Sequence, residues 1–251
     1  QHAIFTVPNY HEGYSIDDNA RALMVSIHLE ELGNSEALEL ASRYLAFIWY
    51  AYNPATGRFR NFMDYQRNWL EASGSEDSHG RTLLALGTVL GRSNTPHLQS
   101  MAGWVYEQAL PAISATTSPR SWAFTLIGIH EYLKRYSGDS MANQVREDLA
   151  NRLLTSYQTC RTEKWRWFEA KLTYSNATLP QALMMCGQWI PNQAMTEAGL
   201  EALNWLADLQ HSDAEGGHFA SIGSNGFYSR GGERARFDQQ PVEAQVTVSA
   251  C

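Results

Sequence analysis

The chain has 251 residues, 44% hydrophobic and 18% charged, with a net charge of −7. This length suffices for one large domain or two small ones, and the composition for a sizeable core. The acidic balance leaves no basic stripe to neutralise phosphates, which excludes nucleic acid as a partner. No apolar run reaches the roughly 18 residues of a membrane span, so no membrane partner is expected.

Cys160, Cys186 and Cys251 have no CxxC spacing, so they form neither a disulfide framework nor a zinc site. They point to a reducing, cytoplasmic location, and no metal or cofactor is expected. Residue 1 is Gln, which reads as a processed or trimmed start. The sequon at Asn176-Ala-Thr178 reads as a chance match.

The chain then reads as helices in pairs. Residues 17–32 are apolar on almost every side and stop at Gly33, a good residue just past a helix end. Residues 35–52 start on a serine and stop at Pro54 and Gly57. A polar, alternating stretch, 58–71, reads as a short hairpin. Residues 76–91 and 95–113 form the next pair, with Pro96 in the first turn of the second helix. Residues 118–136 and 139–160 follow. A loop over 161–174 leads to 175–190 and its partner 192–211. A glycine-rich loop, 212–236, precedes a last apolar helix over 237–251. The first helix of each pair is apolar all round and predicts burial; the second is amphipathic and predicts an outer position. A pair recurring about every 40–60 residues predicts an all-α fold, an (α/α)6-type toroid of helical hairpins. One domain, 1–251, is expected, incomplete at its C-terminal side, since only the start of a fifth pair is present.

The polar starts of the inner helices carry the chemistry. Asp, Ser and Thr at such positions cap helices. Capping needs one such group, yet Asp17, Asp18 and Asn19 occur together, as do Glu76, Asp77 and His79, and Asp238, Gln239, Gln240 and Glu243. Parallel inner helices would open all these starts at one end. Asp17, Asp18, Glu76 and Asp77 are therefore the expected catalytic carboxylates, in a pattern suited to general acid/base work on a glycosidic bond. His79, Trp165, Trp167, Glu169, Tyr174, Asn176, Asp238, Gln239 and Glu243 are the expected substrate-binding residues, because aromatic rings and amides beside carboxylates suit a sugar. Arg21 and Arg81, four residues after Asp17 and Asp77, are expected to pair within their own helices. The segment 216–232 lacks the strand-before, helix-after context of a dinucleotide loop and reads as a cleft loop.

Four blocks, 1–23, 60–87, 165–183 and 225–244, resemble a bacterial family of (α/α)6 domains with the six-hairpin glycosidase-like fold, often fused to glycosyltransferases. The similarity runs over nearly the whole chain. It implies an inverting glycoside hydrolase acting on an oligosaccharide, with a glycosyltransferase domain or protein as partner. Members of that family read TYDNA where this chain has TYSNA, with Ser175, which departs from the pattern at a possible site position. Two other functions compete: a sugar epimerase or isomerase on the same fold, which calls for histidine bases such as His79, His11 or His218, and a non-catalytic glycan-binding module serving a glycosyltransferase.

Overall fold

The computed structural model describes residues 3–4, 7–9 and 11–251. It forms two compact units, Gln1–Asn143 and Gln144–Cys251, and the division falls within a helix.

In the first unit, β1 (Ala3–Ile4) pairs antiparallel with β2 (Val7–Pro8). β3 (Tyr14–Ser15) leads into α1 (Ile16–Glu31), followed by α2 (Ala37–Ala51). β4 (Tyr52–Asn53) and β5 (Arg58–Phe59) form a tight hairpin, and β6 (Phe62–Met63) returns to pair with β3 in the register Tyr14 to Met63. α3 (Glu76–Arg92), α4 (Pro96–Ala109) and α5 (Pro119–Leu133) complete the unit. α6 (Ser140–Cys160) carries the division between units.

The second unit holds β7 (Lys171–Leu172), α7 (Thr178–Trp189), α8 (Gln193–Leu209), β8 (His211–Ser212), β9 (His218–Phe219), β10 (Tyr228–Ser229) and α9 (Pro241–Ala250). β7 pairs with β10 and β8 with β9, both antiparallel. The all-α hairpin architecture is the one the periodicity predicts, and the short strands fall in the connecting loops. Among the described residues no helix is long and apolar enough to cross a membrane.

Burial follows the predicted alternation in α3 and α5, which bury residues all round. α1 differs. It buries one face, with Ile16, Ala20, Leu23 and Ile27 inside and Val25 exposed, so it lies beside the core rather than through it. The reason α3 and α5 approach so closely is written in small residues. A Cβ on Gly80 would meet the Ser121 backbone, one on Gly87 would lie 2.2 Å from the Gly128 carbonyl oxygen, and one on Gly91 the same distance from that of Glu131. The partners advance in step along both helices, so α3 and α5 run parallel, their starts at one end. At the other end the Arg92 guanidinium closes on Glu131 (2.8 Å) and Glu31 (3.3 Å), tying the last turns of α1, α3 and α5.

Candidate functional site

The starts of α1, α3 and α5 are capped by serines, which frees the acids for other contacts. Ser15 Oγ accepts the Asp18 N–H at 3.2 Å and donates to Asp18 Oδ2 at 2.8 Å. Ser75 Oγ accepts the Ser78 N–H at 3.0 Å, and Ser118 Oγ that of Ser121 at 3.4 Å. Each cap satisfies an N–H that the first turn leaves unpaired. The hairpin before α3 fixes α1 in turn, since the Ile16 N–H donates to the Asn61 carbonyl at 2.8 Å.

The acids reach from one helix start to the next. Asp17 Oδ2 lies 2.5 Å from Arg81 Nη1, and the Arg81 side chain is only 3% exposed. The same guanidinium sits 4.5 Å from the centre of the Phe124 ring on α5, an arrangement in which the ring face attracts the cation. Asp17 Oδ1 is buried and accepts no hydrogen bond from the described residues. Glu76 Oε2 accepts the N–H groups of Thr117 and Ser118, both at 2.7 Å, so it caps α5 rather than its own helix. Asp77 accepts from the Ser118 hydroxyl. Asp18 has Arg21 at 3.7 Å. Of the two arginines expected to pair within their own helices, Arg21 does so, with Asp18 rather than Asp17. Arg81 reaches across to α1 and takes Asp17, because α3 passes beside the start of α1.

His79 is fully buried on α3, its ring 5.3 Å from that of Phe59. Burial, reinforced by the charge of Arg58, pulls its pKa down to about 4, against a weak opposing pull from the Ala109 backbone. The ring is therefore uncharged at neutral pH. Unfolding restores a value near 6.5, so the unfolded chain takes up a proton between pH 6.5 and about 4 that the folded chain refuses. Stability is complete above this window and falls as pH drops through it, by about 3 kcal/mol at roughly 1.36 kcal/mol per pH unit. His79→Leu should flatten that fall when urea unfolding is compared at pH 7 and pH 4.5. An equal loss in both proteins would assign the acid sensitivity elsewhere.

In the second unit Tyr174, Asn176 and Glu243 meet at the start of α7. Ser175, in the left-handed region at φ 49°, turns the chain into the helix. The buried Glu243 carboxylate from α9 accepts the Ser175 N–H, the Asn176 N–H at 3.3 Å and Asn176 Nδ2 at 2.9 Å. The Asn176 amide also braces the turn through the Thr173 carbonyl at 3.0 Å. Tyr174, half-buried, lies in the same turn. Trp165 and Trp167 are 3% and 0% exposed. Trp165 packs on Trp205 (5.2 Å) and Tyr228 (5.3 Å), and its indole donates to the Glu169 carbonyl at 2.7 Å. Both indoles thus stand in the core of the unit. Asp238 is exposed, accepting from Ser224 and, at 2.8 Å, from the Gln240 amide, and Gln239 is exposed beside it.

Nothing in the sequence singles out Phe124, one ring within an apolar helix, or Ser118 at the start of that helix. Nor does it single out Glu71, whose carboxylate accepts the Asn61 and Phe62 N–H groups and shapes the loop over α1 and α3.

No family model matches the chain, and no curated protein matches it. Among solved structures the chain is similar to a crystal structure of a sugar epimerase from a ruminal bacterium, at 12% identity and a TM-score of 0.65. The match covers 84% of this chain and 65% of that one, so the chain spans less than two thirds of that protein's length. At this identity the likeness shows a shared helical fold.

Proposed function

We propose that the chain is a carbohydrate-active enzyme that takes a sugar at the shared start of α1, α3 and α5, and that it belongs with the six-hairpin glycosidase-like domains its sequence resembles. The supporting observation is that the Asp17–Arg81 pair joins the starts of α1 and α3, bringing the carboxylates of both first turns to one end of the helices. Asp18, Glu76 and Asp77 lie at the same helix starts. Inverting hydrolysis needs an acid and a base about 6.5–9.5 Å apart across the sugar. A carboxylate of α1 paired with one of α3 is the arrangement proposed for it, Asp18 as base with Asp77 as acid. An oligosaccharide substrate, a glycosyltransferase partner and a cytoplasmic location belong to the same proposal, the last supported by three cysteines that are all unbridged.

A second reaction, epimerisation of a reducing sugar, is favoured by the fold neighbour's description as a sugar epimerase. One experiment separates the two. Incubation with cello-, manno- and malto-oligosaccharides in D2O, followed by proton NMR, shows new reducing ends of inverted configuration for hydrolysis. Epimerisation shows deuterium entering beside the anomeric carbon with no loss of chain length. Asp18→Asn and Asp77→Asn should each abolish whichever change appears. No change with any of these sugars in the complete protein would overturn the enzyme reading.

A further inference from the structure

The glycine-rich segment between α8 and α9 is folded on itself by backbone hydrogen bonds. The Ala220 N–H donates to the Gln210 carbonyl at 2.7 Å, and Gly223 to Ala235, Ala235 to Phe227 and Ser224 to Asp238, each at 2.9 Å. Gly223 leaves no space for a side chain, since a Cβ there would fall 2.0 Å from the Phe237 carbonyl oxygen. These crossings border an open surface pocket of about 970 Å³ whose lining includes Arg234, Arg236, His211, Phe227, Phe237 and Glu233. That volume is in the range of small-molecule sites, roughly 300–1,000 Å³.

The pocket's charge runs against that of the chain. Two guanidiniums face one carboxylate within a chain of net charge −7. Beside them Asp213 lies 3.2 Å from His211. Arg234 is anchored, donating to the Leu209 carbonyl at the end of α8. The Arg236 guanidinium has no ion pair or hydrogen bond among the described residues. Next to it in sequence Phe237 stands 77% exposed, so its ring is open to a ligand. A planar fork of donors matches a carboxylate or phosphate, and a flat ring matches the C–H face of a pyranose. Gln239 and Asn225, also in the lining, offer amides to ring hydroxyls.

We propose that this pocket binds an anionic sugar, a uronate or a sugar phosphate, with the acid group on Arg236 and the apolar face of the ring on Phe237. None of these residues belongs to the helix starts of the first unit, so the pocket stands or falls independently of the reaction proposed there.

The test is binding without turnover, measured by titration calorimetry at low salt. The ligands are glucuronate, glucose 6-phosphate, glucose and inorganic phosphate. Glucuronate or glucose 6-phosphate should bind at least about tenfold more tightly than glucose, as a charge-assisted fork contact requires. Whichever is tighter identifies the acid group. Arg236→Gln should erase that preference. Phe237→Ala should weaken the sugars and leave phosphate unchanged. Both side chains are exposed, and circular dichroism checks that the variants stay folded. Glucose binding as tightly as both acids, phosphate alone matching glucose 6-phosphate, or an unaltered preference in Arg236→Gln would overturn the proposal.

Discussion

Gly87→Val is expected to cost at least about 3 kcal/mol, the largest single effect anticipated for a surface-neutral change in this chain. At Gly87 a Cβ would stand 2.2 Å from the Gly128 carbonyl oxygen and 2.8 Å from its Cα. Those atoms are backbone, so no rotamer change makes room. α3 and α5 would have to separate, and with them the buried residues both helices contribute. The matched control is Gly103→Ala on α4. There the new methyl would meet only Leu90 Cδ2, at 3.6 Å, an ordinary contact. Replacing a helical glycine with alanine in open space should stabilise by about 0.5–1 kcal/mol. Urea unfolding of the two variants should therefore move in opposite directions, and a Gly87→Val protein as stable as the parent would remove the close helix seam from this description.

Arg81→Met is the second large expectation. Methionine keeps much of the stem against Phe124 but withdraws the charge from Asp17. Breaking a buried ion pair from one side costs about 3–5 kcal/mol where both partners are fully buried. Asp17 is 28% exposed at its side chain, so solvent recovers part of that and about 2 kcal/mol is expected. Asp17→Asn alone should also destabilise, because it withdraws a carboxylate from a buried guanidinium. The double variant should recover a good part of the sum, since neither charge is then stranded. Strict additivity in the cycle would mean the pair contributes no coupling. If the pair also places a sugar hydroxyl, both single variants lose turnover, and the double variant regains stability without regaining activity.

The helical alternation was legible because burial imposes it directly: α3 and α5 are surrounded, and their sequences have no polar stripe. α1 misled, since its apolar residues cover more of its circumference than the core occupies, leaving Val25 outside. The clustering of acids at helix starts was legible too, but not their partners. Ser15, Ser75 and Ser118 take the capping role that the acids also fit. Glu76 then finds its donors at Thr117 and Ser118, far along the chain, and no local pattern announces that. Trp165 and Trp167 show the limit from the other side. A tryptophan in a polar segment reads alike whether it faces a ligand or plugs a core, and here both rings are inside. The pocket by Arg236 was visible only as a glycine-rich loop, because its shape comes from backbone crossings that sequence does not spell out.

Glu243 works as a clasp. Its carboxylate grips Ser175 and Asn176 from beyond the glycine-rich segment, while that segment's near end leaves directly from α8. Both ends of the segment are therefore held, and its tip is exposed around Gly231 and Gly232. A protease that nicked the chain at that tip would sever one covalent bond and release nothing. Gly223 would still donate to Ala235, and Ser224 to Asp238, across the cut. The two fragments would migrate together under native conditions and part only in denaturant, and the pocket they jointly wall would survive the break.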